Sequence, residues 1–287
     1  MGTPALGPFG EIYVANQDAG LTAVNNAGQE LWTLPGDGLT AIAGPIVGAD
    51  NVIYFPTDGH IRAVTSEGKP RWTVNLPSYA YNSPGLTLSP DGAYVFFEDV
   101  ALDAANGAQL TKRTLDPFDR FFVGSNGTVY LGGASAIFEW RATASGATIE
   151  LLATIDGRAL ALGFRVLQQA GVTPDGHLWL LFNSQFEDAK LVWFDLAGNL
   201  LEVDDTPYAE GWPAALDSKS IFYLCGYLEL GGPECRALTA QSASPRWQLK
   251  LPKANGIVNG SALVAGRLYL TTTGGHLFVM NDLAATQ

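Results

Sequence analysis

The chain has 287 residues, of which 47% are hydrophobic and 15% charged, a composition that builds a packed core and excludes a disordered chain. A formal net charge of −12 repels phosphate backbones, so nucleic acid is not an expected partner. No run of about 18 apolar residues occurs, so no membrane span is expected.

The opening MGTPALG has neither the basic region nor the apolar core of a secretory signal. The chain is therefore either cytosolic or one from which a signal has been removed. From residue 10 it reads GEIYVANQDAGLTAVNNAGQELWTLP: an apolar–aromatic strand, a turn, a second strand ending in a glycine turn, then a tryptophan strand. NVIYFPTDGHIRAVTSEGKPRW (51–72) repeats that order. Weaker copies begin at Gly92, Gly127, Gly176 and Ser220, and GRLYLTTTGGHLFVMN (266–281) is the last. Tyr13, Tyr54, Val95, Tyr130, Trp179, Tyr223 and Tyr269 mark the same strand in each copy, and the step between them averages about 43 residues, the length of a propeller blade.

Each copy holds four short runs with period-two alternation or with β-branched and aromatic residues, and helical periodicity is absent. In the second copy the runs are AIAGPIVG, NVIYFPT, HIRAVTS and PRWTVNL. The 33 glycines and 16 prolines supply the turns between them. The expected fold is all-β: one seven-bladed β-propeller of four-stranded antiparallel blades over residues 1–287. KPRWTVNLP (69–77) and SPRWQLKLP (244–252) share Pro-Arg-Trp and Leu-Pro. Both are expected to be outermost strands, with Trp32, Trp72 and Trp247 packed between neighbouring blades.

The stretch GPIVGADNVIYFPTDGHIRAVTSEGKPRW (44–72) and its echoes resemble the PQQ-like β-propeller repeat, the family of quinoprotein dehydrogenases and of the outer-membrane assembly lipoprotein BamB. The resemblance is strong in copies one, two, six and seven. It implies the propeller fold and says little about activity. The departures from the family's enzymes are specific. Those enzymes have eight blades and two adjacent cysteines beside the quinone, whereas this chain has seven copies, cysteines ten residues apart, and no Asp-x-Asp-x-Asp-Gly calcium loop. No cofactor is therefore expected.

Cys225 and Cys235 flank a Gly-Gly-Pro turn. A hairpin folded there sets them opposite each other, which favours a disulfide over two separate buried thiols and an oxidising compartment over a reducing one. His60, His177 and His276 each follow a glycine turn and read as solvated turn residues. Asn126-Gly-Thr128 and Asn259-Gly-Ser261 fit the glycosylation pattern, but Asn-Gly is also a common turn dipeptide.

In a four-stranded blade, the links from outer to inner strand and from second to third strand share one end. There the sequence is most elaborate: LPSYAYNSP (76–84), LDPFDRF (115–121), TIDGRALALGFRVLQQAG (154–171), NSQFEDAK (183–190) and DDTPYAEGWPA (204–214). The opposite end has terse turns such as GADN, AGQE and SEGK. Variable loops on rigid strands mark the working end. The candidate partner-binding residues are Tyr79, Tyr81, Phe118, Asp119, Arg120, Arg165, Gln168, Tyr208, Glu210 and Trp212, since aromatics and arginine anchor interfaces. The paired acids Glu187–Asp188 and Asp204–Asp205 read as solvated loop residues rather than a general acid and base.

The last copy stops after its third strand. Either this propeller is one module of a longer polypeptide, or blade seven has an edge that accepts a strand from flanking sequence or another chain. The reading is a non-catalytic binding scaffold of the periplasm or cell exterior with a protein partner. The alternative is a quinoprotein-like, carbohydrate- or lactone-acting enzyme that uses the same loops.

Overall fold

The computed structural model describes residues 4–16, 20–36, 43–57, 59–76, 85–98, 100–110, 120–133, 135–143, 146–158, 160, 162, 166–183, 189–205, 210–216, 219–228, 232–239, 242–251, 258–264, 267–272 and 275–280. Within them, the description leaves out the side chains of 166, 168, 205, 210–215, 227, 228, 232, 233, 242–244, 258–262 and 264. The fold is a seven-bladed β-propeller, and every described pairing within a blade is antiparallel between strands consecutive in the chain. Tight glycine turns join such strands without crossovers, as the sequence pattern requires.

Blade one comprises β1 (Ala5–Leu6), β2 (Ile12–Ala15), β3 (Leu21–Val24) and β4 (Glu30–Leu34). Blade two comprises β5 (Ile46–Val47), β6 (Ile53–Thr57), β7 (His60–Val64) and β8 (Pro70–Asn75). Blade three has β9 (Leu86–Leu88), β10 (Tyr94–Phe97) and β11 (Val100–Asp103), and blade four has β12 (Arg120–Val123), β13 (Val129–Gly132), β14 (Ala136–Thr143) and β15 (Gly146–Thr154). Blade five is β16 (Val166–Val172), β17 (His177–Asn183), β18 (Lys190–Asp195) and β19 (Leu200–Asp205). Blade six is β20 (Glu210–Leu216), β21 (Phe222–Leu228), β22 (Gly232–Thr239) and β23 (Ser242–Lys250), and blade seven is β24 (Val258–Val264), β25 (Arg267–Thr272) and β26 (Leu277–Met280). All seven marker residues fall on second strands. Blades three and seven have three strands among the described residues. In blade three a single bridge, Leu102–Gln109, stands where an outer strand was expected. That segment, GAQL, has no tryptophan and no alternating apolar run to hold it.

The chain clusters into two compact units. Unit one is Met1–Val123, Val129–Leu131 and Trp140–Ile149; unit two is Gly124–Thr128, Gly132–Glu139 and Glu150–Gln287. In unit one, Tyr13, Leu21 and Ala23 of blade one pack on Ile53, Phe55 and Val64 of blade two. On the other face of blade two, Tyr54, Ile61 and Ala63 pack on Val95, Phe97 and Leu102 of blade three. Alternate residues of β6 thus serve two interfaces, which is why IYFPT is buried throughout instead of alternating with polar residues. In unit two, Trp179 and Trp193 of blade five meet the Phe222 ring of blade six, with centroids 4.6 and 5.8 Å apart.

The tryptophans sit where the repeated phrase placed them. Trp32 pairs across from Ala23, Trp72 from Ala63 and Trp247 from Ala237. Each packs against the tyrosine of its own second strand, at 6.0 Å from Tyr13, 5.7 Å from Tyr54 and 5.9 Å from Tyr223. The Trp32 indole donates to the Ser66 carbonyl of blade two at 2.7 Å, and Trp72 donates to the Ala104 carbonyl of blade three at 2.9 Å. Glycine makes the seat. A Cβ on Gly68 would stand 2.7 Å from Trp32, and one on Gly107 2.9 Å from the Trp72 ring. Gly28, the counterpart on blade one, has nothing within 4 Å of that point.

Candidate functional site

The two ends of the blades are built differently. At the end with terse turns, polar side chains close on their own backbone. The Asn25 side chain accepts the Ala27 and Gln29 amides at 2.9 Å, Asp103 accepts Ala105 at 2.9 Å, and Asp195 accepts Asn199 at 2.8 Å. Such Asx turns satisfy the chain locally. They also hold carboxylates below their ordinary range: the Thr65 hydroxyl lowers Glu67, Ser89 lowers Asp91 and Asn199 lowers Asp195. Burial pushes the Asp175 carboxyl up, but hydrogen bonds from Thr173, Ser220 and His177 outweigh it and bring it down to about 2.

The loop end carries the buried charge. Glu98, Arg120, Lys190, Asp204 and Glu234 are the buried charged residues among those described. Each lies where a second strand ends, a third or first strand begins, or an outer strand finishes. Glu98 follows β10 at φ 52°, an uncommon conformation for a side chain of this size. Its carboxylate accepts the Arg120 guanidinium, and its carbonyl accepts the Phe121 amide at 3.0 Å, tying the β10 hairpin to β12. Glu234, with no exposed surface, accepts Arg236 at 2.9 Å and Gln248 at 2.6 Å. Buried charges persist only when paired and hydrogen-bonded.

Of the ten candidate binding residues, Tyr79, Tyr81, Phe118, Asp119, Arg165 and Tyr208 lie outside the described residues. Arg120 is not a solvated loop residue. It opens β12, buried against Glu98. Gln168, Glu210 and Trp212 belong to the first strands β16 and β20. The long links are shorter than the sequence suggests because these strands begin early, extended by Val166-Leu167 and Glu210-Gly211 pairing with β17 and β21. The register shifts between Leu167 and Gln169, and between Trp212 and Ala214. Gln168 and Pro213 therefore sit at β-bulges, where proline, which donates no ladder bond, is tolerated and a side chain is re-aimed. A third shift, between Val258 and Gly260, places Asn259-Gly260 at a bulge of β24 rather than in a turn.

Asp204, expected as a solvated acid, is buried in β19 opposite Leu191. Glu187 and Asp188 lie outside the described residues. Asn126 is a turn residue whose side chain accepts the Thr128 amide at 3.1 Å. Cys225 and Cys235 form a disulfide, directly paired with Cα atoms 4.1 Å apart. Sequence reasoning missed Glu98, Lys190 and Glu234. The available signal was a charge written into an apolar run, as in YVFFEDV and DAKLVWF. Among the described residues, no three His, Cys, Asp or Glu side chains converge as a metal site, and no helix is long and apolar enough to cross a membrane.

Residues 2–121 match the family model described as outer membrane protein assembly factor BamB. Among curated proteins no relative matches. Solved structures share the fold. BamB from Moraxella catarrhalis superposes with TM-score 0.71 at 14% identity, over 97% of this chain and 84% of that one. Saccharomyces cerevisiae Sqt1 superposes with TM-score 0.76 at 13% identity, over 99% and 83%. The dihydro-heme d1 dehydrogenase NirN matches at TM-score 0.68 and 15% identity, over 97% of this chain but only 62% of its own. The chain is thus a seven-bladed β-propeller whose residues 2–121 match the BamB family model, with the propeller fold carried through all seven blades.

Proposed function

We propose that this chain is a non-catalytic binding propeller that holds a protein partner on its loop end, in the periplasm or outside the cell. The observation that carries the reading is the segregation of buried charge: among the described residues all five buried charged residues lie at the loop end, while the described turns of the other end close on their own backbone. The Glu98–Arg120 and Glu234–Arg236 pairs brace strand ends at the loop end, and rigid bases suit a recognition surface; Tyr79, Tyr81, Phe118, Asp119, Arg165 and Tyr208 are the candidate contacts in its links. Gln168, Glu210 and Trp212, in the first strands β16 and β20, are further candidates. The disulfide supports an oxidising compartment, and the match to an assembly-factor model supports a protein partner. The propeller acts as one module, and the edge of blade seven offers a second place for a chain to add.

The likeness to NirN supports the second reading, an enzyme using the same end on a quinone, sugar or lactone. The test places photo-cross-linking p-benzoylphenylalanine at Tyr79 and Tyr208, with Ala27 and Ala105 on the turn end as controls. The proposal expects a discrete protein adduct from the loop-end positions alone. Adducts from both ends alike, or none at the loop end together with saturable quenching of tryptophan fluorescence by pyrroloquinoline quinone, would replace it with the enzymatic reading.

A further inference from the structure

The blades place their tryptophans in two ways. Blades one, two and six carry them on the outer strand, as Trp32, Trp72 and Trp247. Blades four and five carry them on the third strand, as Trp140 and Trp193, 4% and 1% exposed. In blade five the register shows the exchange directly: Trp193 pairs with Glu202, whereas Ala63 of blade two pairs with Trp72. With the indole on the third strand, β19 reads Leu-Leu-Glu where β8 reads Pro-Arg-Trp. These leucines do not enter the core. Leu200 is 49% and Leu201 43% exposed, Leu196 in the turn before them 39%, and Leu151 of β15 60%. The two segments adjoin: a Cβ on Gly198 would collide with the Leu152 carbonyl and stand 3.0 Å from Ala153. Single exposed leucines are ordinary, but a group of four on two adjoining blades marks an interaction surface. Its rim is acidic. Residues 146–154 and 195–203 contain Glu150, Asp195 and Glu202 and neither lysine nor arginine. β14 adds one charge of each sign, Glu139 and Arg141, while Lys190, Asp204 and Asp205 lie at the loop end of β18 and β19. Asn199 donates to the Asp195 carboxylate from both its backbone and its side chain at 2.8 Å, which fixes that charge beside Leu196.

We propose that this leucine surface on blades four and five docks a basic amphipathic segment of a partner protein, one that presents leucine-sized side chains flanked by lysine or arginine. Leu151, Leu196, Leu200 and Leu201 supply the apolar area, and Glu150, Asp195 and Glu202 select the charge. A second copy of the chain fits poorly, because it would bring the same carboxylates face to face on a molecule of net charge −12. The surface lies on outer strands and a terse turn, apart from the loop end, so the inference goes beyond the loop-end reading and does not rest on it.

The test titrates the intact chain into a fluorescein-labelled peptide of alternating character, KLKLLKLK, reads binding by anisotropy and maps it by hydrogen exchange. A second peptide has glutamate for every lysine. The protein variants are Leu200→Ser with Leu201→Ser, Leu151→Ser alone, and Glu150→Gln, all at exposed positions. Their melting temperatures check the fold, and Leu151→Ser on the other blade stands in if the double variant melts lower. The basic peptide should protect residues 150–153 and 196–202, and the acidic peptide should not bind. Affinity should fall about tenfold in the double variant and about threefold in Glu150→Gln. Equal binding of the acidic peptide, full affinity in both leucine variants, or protection confined to the loop end would overturn the proposal. So would protection of 150–153 and 196–202 that rises with protein concentration alone, because a second copy would then be the occupant. Capture by phosphatidylcholine vesicles that the leucine variants lose would replace the protein segment with a lipid surface. Cross-links at Tyr79 and Tyr208 report the loop end alone, so the two readings fail separately.

Discussion

Among the described residues, blade two and blade seven follow one register and differ by one strand. In blade two, Ile61 and Ala63 lie fully buried beneath Trp72 and Val74 of β8 and the facing residues of blade three. In blade seven, Leu277 and Val279 hold the same positions and are exposed. Where an outer strand is described, it buries the apolar residues of the third strand; β26, which pairs only with β25 among the described residues, keeps an apolar flank exposed. The outer strand closes the blade, and its tryptophan reaches the next one.

Stripping blade two of its indole should make it resemble blade seven. Trp72→Ala removes the stack on Tyr54 and the hydrogen bond to Ala104 and should cost about 3–5 kcal/mol in urea unfolding. A loss under about 1 kcal/mol would mean the tryptophan does not close the blade. Blade six is closed twice, by Trp247 and by the Cys225–Cys235 bridge. Replacing both cysteines with alanine should cost about 2–3 kcal/mol, and reducing agent should have no further effect on that variant.

The indole seat itself can be isolated with two glycines of the same backbone conformation. Gly28 and Gly68 have φ 77° and 78°, so alanine at either pays about 1–2 kcal/mol for the left-handed backbone. Gly68→Ala must also displace Trp32, adding about 1–3 kcal/mol. Equal losses in thermal melts would show that the seat is loose. The smallest effect concerns Asp175. Its folded pKa, about 2, lies below the ordinary 3.8. Its stabilisation is therefore complete above about pH 4 and is lost as pH falls toward 2. Asp175→Asn should flatten the acid limb of a melting-temperature profile over that window, by under about 1 kcal/mol because the side chain is partly solvated.

The blade plan was legible because it is written seven times. Tyr13, Tyr54 and Tyr223 mark second strands, Trp32, Trp72 and Trp247 mark outer ones, and the Gly-Gly-Pro turn sets Cys225 against Cys235. The loop end was less legible. A first strand that extends into a link, as β16 does through Gln168, differs from a loop only by its pairing, and the bulge at Gln168 breaks the alternation that would betray it. Arg120 and Asp204 read as surface charges because their burial depends on partners distant in sequence; Glu98 lies 22 residues from Arg120. Charges on such links are solvated by default, and only the fold shows which are not.

Hydrogen exchange of the intact protein over its third strands tests the account most directly. The amides of β3, β7 and β22 should exchange slowly and together, and those of β26, which pairs only with β25 among the described residues, faster by at least tenfold. Protection of β26 equal to that of β7 would show that blade seven is already closed, and would contradict the account.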